Sequence, residues 1–104
     1  MIVVKVTYTV KSEFVTKNLE NIDVFLKDFQ GLGNDEFRYE VYRCEDGKSF
    51  MHFSSYANEE IQKRVLAVDS FKAFQKQRDE SGLEGAHHLE VMTLVGSSHG
   101  VLSQ

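Results

Sequence analysis

The chain has 104 residues, enough for one domain, and its 41% hydrophobic and 27% charged residues are ordinary for a globular protein. A formal net charge of −4 leaves no excess of basic residues to neutralise phosphates, so no nucleic-acid partner is expected. No apolar run reaches the roughly 18 residues of a membrane span, and no charged-then-apolar leader precedes the first strand. The single cysteine, Cys44, cannot form an internal disulfide, which favours a reducing, cytoplasmic location.

The apolar pattern predicts one domain over residues 1–96 and a loose tail over residues 97–104. Strand-type alternation and helical spacing together give six elements. The predicted strands are 2–10, 36–44, 49–56 and 87–95. The first predicted helix is capped by Ser12 and ends at Gly31 and Gly33, and the second is capped by Asn58 and runs from about Glu59 to Asp79. The pair Asp46-Gly47 predicts a hairpin turn between the second and third strands.

This order predicts an α+β, ferredoxin-like βαββαβ fold, in which two helices cover one face of a four-stranded antiparallel sheet. The hairpin turn would place Tyr39 opposite Ser54 and Val41 opposite His52, and both hairpin faces would then carry large apolar groups. One face carries Phe37, Tyr39, Val41, Phe50, His52 and Tyr56, and the other carries Tyr42, Met51 and Phe53. Because the helices can cover only one face, we expect the other to be buried in a homodimer.

Several short motifs resemble one family. The second strand contains Tyr39-Glu40, the third begins near Phe50 and ends in Tyr56-Ala57-Asn58-Glu59-Glu60, and the second helix contains Val65-Leu66 and then Phe71-Lys72-Ala73-Phe74. On these motifs the chain resembles, over residues 1 to about 96, the antibiotic-biosynthesis monooxygenase-like group of the dimeric α+β barrel superfamily. The resemblance implies a dimer formed through the sheets and a small-molecule cleft in each subunit.

The chain departs from the family pattern at positions that bear on chemistry. The usual tryptophan of the third strand is Tyr56, the acidic residue before it is Ser54, and the usual helix histidine is Val65. In the haem-degrading branch of the superfamily the closest positions hold Thr7, Tyr56 and Gln75. Because an amide is a poor axial ligand for haem iron, we expect no haem. No metal site is expected either, since His87-His88 lacks partners at ligand spacing.

The resemblance then implies a cofactor-independent monooxygenase that acts on an electron-rich aromatic molecule of the quinol or polyketide type. Such an enzyme supplies a base, orientation and a dry pocket. His52 is the candidate catalytic base, because an unperturbed imidazole titrates near neutral pH. Thr7, Tyr39, Ser54 and Tyr56 are the candidate substrate-binding residues. The simpler interpretation is that His52 and the tyrosines only pack the interior.

Two functional classes therefore remain from the sequence: this monooxygenase, or a non-catalytic small-ligand-binding or structural member of the same fold. Other polar residues suggest ordinary surface roles. Cys44 has no nearby histidine in the sequence. His87 and His88 alternate across the predicted fourth strand, so one would face the cleft and the other solvent. The basic residues of the second helix, which include Arg78, are expected on an exposed face.

Overall fold

The computed structural model describes residues 1–33 and 35–100 and has the predicted α+β, ferredoxin-like architecture. The strands are β1 (Ile2–Thr9), β2 (Phe37–Arg43), β3 (Ser49–Tyr56) and β4 (His88–Met92). The helices are α1 (Val15–Gly31), α2 (Glu59–Leu66) and α3 (Asp69–Gln77). The strands form one antiparallel sheet in the order β2-β3-β1-β4. None of the helices in this described part of the chain is long and apolar enough to cross a membrane.

The hairpin between β2 and β3 has the predicted register, with Tyr39 opposite Ser54. The Asp46 carboxylate holds the turn by accepting the backbone N–H of Ser49 at 2.7 Å. Gly47 has a φ of 79°, a left-handed conformation that glycine adopts without steric cost. This register fixes which side chains of the two strands share a face.

The second predicted helix is broken at residues 67–68 into α2 and α3, which corrects the expectation of one continuous helix. Val68 is extended, with φ −62° and ψ 129°. Nine residues of a straight helix make about two and a half turns, so Val65 and Phe74 would point in opposite directions. The break turns α3, and both side chains are buried in the core.

Two other boundaries differ from those predicted. Ser12 begins a short 3-10 turn, and no side chain caps this turn or α1. The Lys11 N–H donates to the Gly82 carbonyl at 2.8 Å and ties this segment to the turn after α3. β4 ends at Met92. In the antiparallel pair Met92 lies opposite Val3, the second residue of β1, so β4 has almost reached the start of its partner strand. The following residues, up to 100, have no regular structure.

All three helices pack on the sheet face with the larger predicted apolar set. The core between them is mainly aromatic and consists of Tyr8, Val10, Ile22, Phe25, Phe29, Phe50, Tyr56, Ile61, Val65, Phe71 and Phe74. The opposite face carries Met51 and Phe53, which are half-buried, and Tyr42, which is 50% exposed. Charged groups share that open face, including a Lys5–Glu90 pair at 3.6 Å. The open face is therefore mixed rather than continuously apolar.

Candidate functional site

His52 lies in the middle of β3, under the helices, and only 2% of its surface is exposed. Its Nε2 is 2.7 Å from the Tyr8 hydroxyl on β1, and its Nδ1 is 2.7 Å from the Tyr39 hydroxyl on β2. From α1, the Asn18 Nδ2 donates to the Tyr8 hydroxyl at 3.1 Å. We call these four residues the buried chain. Three adjacent strands and one helix thus bring together groups that are far apart in the sequence.

Aromatic rings surround His52. The Phe74 ring stacks on the imidazole with a centroid distance of 5.3 Å, and the Phe25 ring lies 6.1 Å away. Burial among them and, as a second cause, the charge of Arg78 together lower the pKa of His52 to about 3. His52 is therefore a neutral imidazole at pH 7, with one nitrogen donating and the other accepting a hydrogen bond.

Arg78 is buried, with 5% of its surface exposed, which corrects its expected place on an exposed helix face. It begins the π-helical turn Arg78–Gly82 after α3 and follows Phe71 and Phe74 at helical spacing, which places it on the same core-facing side. Its guanidinium carbon lies 5.2 Å from the centre of the Tyr8 ring, and its Nε donates to Asp79 at 2.9 Å. A cation therefore lies beside the buried chain.

Burial raises the pKa of both tyrosines that bond His52. Desolvation is the largest cause for Tyr8 and for Tyr39, and the charge of Arg78 offsets only part of it. Both phenols remain protonated at neutral pH, so the buried chain carries no charge between Asn18 and Tyr39.

A cleft of about 160 Å³ lies between the sheet and the helices α2 and α3. Its rim includes Leu89 and Val91 of β4, which are 62% and 69% exposed because no helix covers this edge of the sheet. None of the described residues that line the cleft is charged. They are Val4, Val6, Tyr39, Ser54, Tyr56, Gln62, Leu66, Phe71, Gln75, Leu89 and Val91.

Three of the sequence-predicted site residues, Tyr39, Ser54 and Tyr56, line this cleft. Burial raises the pKa of Tyr56, and a hydrogen bond with the Ser54 side chain counteracts part of that rise. His52 does not line the cleft and reaches it only through the Tyr39 hydroxyl. In this geometry, therefore, His52 would not contact a ligand in the cleft directly.

Thr7 is not brought to the cleft, which corrects its expected position beside the other candidates. It pairs with Met51 and His88, and strand alternation puts it on the sheet face opposite His52. There it borders a wider surface groove of about 400 Å³, together with the exposed Cys44. His87 and His88 are both exposed.

Sequence reasoning missed Asn18, Tyr8 and Arg78. The signal for Asn18 was available in the sequence, because a polar residue interrupts the apolar stripe of α1 between Val15 and Ile22. In the structure Asn18 is fully buried. Tyr8 shares the face of β1 that pairs across from Phe50 and His52. Among residues 1–33 and 35–100, no cluster of three or more His, Cys, Asp or Glu side chains is arranged to hold a metal ion.

The sequence matches no protein-family model and no curated protein, so its likeness to known proteins rests on three-dimensional structure. Solved structures with the same fold include three proteins described as candidate antibiotic biosynthesis monooxygenases. The one from Bacteroides thetaiotaomicron has a TM-score of 0.81 at 12% identity, covering 96% of this chain and 94% of that one. The one from Caulobacter crescentus has a TM-score of 0.75 at 18% identity, covering 91% and 90%.

The third, from Nitrosomonas europaea, has a TM-score of 0.77 at 11% identity and covers 92% of this chain and all of that one. The resemblance drawn from the sequence motifs is thereby confirmed in the fold, over nearly the whole length of the chain. At these identities the likeness is one of fold.

Proposed function

We propose that this protein is a cofactor-independent monooxygenase whose cleft takes an uncharged, electron-rich aromatic molecule of the quinol or polyketide type. The observation that carries the proposal is the cleft itself: a wholly uncharged wall in which Tyr39 is hydrogen-bonded to the buried His52. Aromatic and aliphatic walls with a few polar groups are the usual composition of small-molecule sites. The monooxygenase descriptions of the proteins that share the fold support the reaction class.

The size of the cleft favours a single ring in contact with Tyr39. A cavity of about 150 Å³ holds benzene in another protein, and this cleft measures about 160 Å³. Further rings of a larger substrate would lie over Leu89 and Val91 at the open rim. A phosphate or carboxylate would find no cationic partner on the cleft wall, and burying such a charge unpaired is costly.

The proposed reaction consumes only substrate and dioxygen. A ring carbon that bears two hydrogens loses a proton to water at the open rim of the cleft, which can later return it, and the resulting anion passes one electron to dioxygen. The carbon radical and superoxide combine and regain a proton, giving a hydroperoxide, which then loses water. The CH₂ group becomes a carbonyl, and the second oxygen atom leaves as water.

In this scheme Tyr39 bonds a substrate oxygen, and His52 acts through Tyr39. Protonating His52 inside an aromatic core is unfavourable, because burial lowers its pKa to about 3. We therefore assign His52 to holding the Tyr39 hydroxyl rather than to receiving the substrate proton. Ser54 and Tyr56 complete the polar part of the cleft.

Oxygen uptake with an anthrone, whose central ring carbon bears two hydrogens, tests the proposal, with the rate of uncatalysed autoxidation subtracted. His52→Ala should lower the catalysed rate at least roughly 100-fold, and Tyr39→Phe should lower it by a similar factor, because each disrupts the group that bonds the substrate. Tyr42→Phe is the matched control. Tyr42 is on the same strand but faces the open side of the sheet, so its loss should leave the rate unchanged.

The alternative function is binding without turnover. If wild-type protein binds the anthrone but does not accelerate oxygen uptake, the protein is a small-ligand-binding member of the fold, and the oxygenase proposal fails. A rate that is accelerated but indifferent to Tyr39→Phe would instead place the reaction outside this cleft.

We also propose that the chain forms a homodimer through the open face of the sheet, where Met51, Phe53 and Tyr42 are grouped. Pairing of the two open faces would close the dimeric α+β barrel. The exposed Cys44 has no second cysteine to pair with, which suits a cytoplasmic location.

A further inference from the structure

We propose that the buried chain fixes the direction of its own hydrogen bonds, so that Tyr39 presents a donor, not only an acceptor, to the cleft. Asn18, Tyr8 and His52 are then positioning residues, and the cleft prefers an uncharged ring that carries a carbonyl oxygen. This inference rests on the cleft being the ligand site of the proposed function.

The direction is set at the Asn18 end. The Asn18 Nδ2 donates to the Tyr8 oxygen at 3.1 Å, so that oxygen already accepts one hydrogen bond. Among the described residues, the other polar contact of the Tyr8 hydroxyl is His52 Nε2, at 2.7 Å. Tyr8 has one proton to give. If His52 Nε2 carried a proton as well, the Tyr8 proton would be buried without an acceptor, which costs about 1–3 kcal/mol.

The orientation of the Asn18 amide is itself favoured by burial. Asn18 is fully buried, and its Oδ1 is the one buried side-chain polar atom without a partner in the described part of the chain. Turning the amide over would pair that oxygen with Tyr8 but leave both protons of Nδ2 unpaired. Buried N–H groups without partners are rarer in proteins than carbonyl oxygens without partners.

The directions of the remaining hydrogen bonds in the buried chain follow from the neutral state of His52. With Nε2 accepting from Tyr8, the neutral ring of His52 carries its proton on Nδ1, which donates to the Tyr39 oxygen at 2.7 Å. The proton of Tyr39 itself then has no protein acceptor among the described residues. Tyr39 lines the cleft, so this proton is available to a ligand oxygen there.

A donor at this position has two consequences for ligand choice. A carbonyl oxygen can accept the Tyr39 proton, whereas a hydrocarbon ring of the same shape leaves it unpaired. As charge builds on that oxygen during proton loss from the ring, the hydrogen bond strengthens, as donors in oxyanion sites do. The cleft therefore recognises the carbonyl form of an aromatic substrate.

The protonated nitrogen of His52 can be read directly from long-range ¹H–¹⁵N spectra of the ¹⁵N-labelled full chain at pH 7, assigned with His52→Gln. We expect the Nδ1–H tautomer. Asn18→Asp replaces the donor with an acceptor, so Tyr8 donates to residue 18 and His52 switches to Nε2–H. Asn21→Asp makes the same change one turn along α1, at a residue that bonds Gln77, and should leave the tautomer unchanged.

The ligand preference can be measured with two matched probes, 1-tetralone and tetralin, which share a ring frame and differ in one carbonyl. By calorimetry, wild-type protein should bind 1-tetralone roughly 3- to 10-fold more tightly, the effect of one net hydrogen bond. Tyr39→Phe and Asn18→Asp should each abolish the preference without weakening tetralin binding, and Asn21→Asp should retain it.

A wild-type Nε2–H tautomer would overturn the inference, whether or not Asn18→Asp folds, and so would a folded Asn18→Asp variant that keeps the wild-type tautomer. Equal affinities for the two probes would overturn the donor role of Tyr39 and leave the proposed cleft standing. If neither probe binds, the cleft fails as the ligand site, and with it the proposed function, while the tautomer measurement still tests the buried chain.

Discussion

At the scale of single residues, the imidazole of His52 couples folding to pH. Burial and the charge of Arg78 hold its pKa at about 3, whereas an unfolded histidine titrates near 6.5. As pH falls below about 6.5, His52 binds a proton in the unfolded chain but stays neutral in the folded chain. The stability that His52 confers is therefore fully present above pH 6.5 and is lost progressively as pH falls toward 3.

We expect this loss to be about 1.4 kcal/mol per pH unit between roughly pH 6 and 4, over and above the contribution of other groups. Urea unfolding of wild type and His52→Gln across this range isolates it, because the variant lacks the titrating ring. His88→Gln, at an exposed histidine of β4, is the control and should keep the wild-type slope. Parallel slopes for wild type and His52→Gln would contradict the burial of a neutral imidazole.

A second prediction at the residue scale concerns Gln75 and the binding of haem. It lines the cleft and offers only an amide, at the position where the resemblance drawn from the sequence would place the axial histidine of the haem-degrading branch. We expect added hemin to bind weakly and without the Soret shift of histidine ligation. Absorption titration measures this, and Gln75→His shows what ligation from that position would look like. A tight one-to-one complex of the wild type with the histidine-type spectrum would contradict the expectation.

The candidate site was partly predictable from residue types. Alternation and the hairpin register correctly grouped Tyr39, Ser54 and Tyr56, because both depend on local spacing. Thr7 was misplaced because which face of β1 joins the cleft depends on pairing with distant strands. Arg78 was misplaced because its charge was taken to mean exposure, although Phe71, Phe74 and Arg78 follow helical spacing and all three are buried.

At the scale of elements, the turn after α3 is packed against the start of α1. A β-carbon placed on Gly82 would lie 2.5 Å from the Phe14 ring, closer than real β-carbons come to any atom. Gly31, the last residue of α1, has nothing within 4 Å of the corresponding position. The two glycines should therefore respond in opposite ways to the same substitution.

We expect Gly82→Ala to destabilise the protein by about 1–3 kcal/mol through overpacking. Gly31→Ala should stabilise it by roughly 0.5–1 kcal/mol, because alanine is the better helix former. Thermal or urea unfolding of both variants gives the comparison. A neutral Gly82→Ala would mean that Phe14 moves aside without cost, and that this contact does not fix the end of α3.

The break between α2 and α3 shows why the elements were easier to predict than their boundaries. Helical spacing identified Ile61, Val65, Phe71 and Phe74 as core residues, and all four are buried. It could not show that the two halves of the segment face the core only when the helix is interrupted. That interruption is a property of packing against the sheet, with no proline or glycine to announce it.

At the scale of the whole molecule, the proposed homodimer makes a direct prediction. We expect light scattering at micromolar concentration to give twice the 11.9 kDa mass of the chain, with an interface above about 1,000 Å². Met51→Asp should abolish the dimer, because its cross-strand neighbours Thr7 and Tyr42 offer the new carboxylate no cation and the interface would bury an unpaired charge. Val24→Asp is the control: Val24 is 53% exposed on α1, away from the sheet, and its substitution should leave the mass unchanged.

A wild-type monomer at that concentration would refute the sheet-face dimer.

The overall architecture was predictable from the sequence because element order and alternation nearly determine a ferredoxin-like sheet. The mixed character of the open face was not foreseen, although Arg38 and Glu40 alternate onto that face beside Tyr42, and Lys5 and Glu90 add further charges from β1 and β4.

The distribution of the tyrosines gives the molecule a built-in optical reporter. The chain contains four tyrosines and no tryptophan, so its ultraviolet emission comes from tyrosine alone. Tyr39 and Tyr56 line the cleft, Tyr8 belongs to the buried chain, and Tyr42 lies on the open face of the sheet. A quinone that enters the cleft would quench the first two at contact distance, so occupancy can be followed by intrinsic fluorescence without any label.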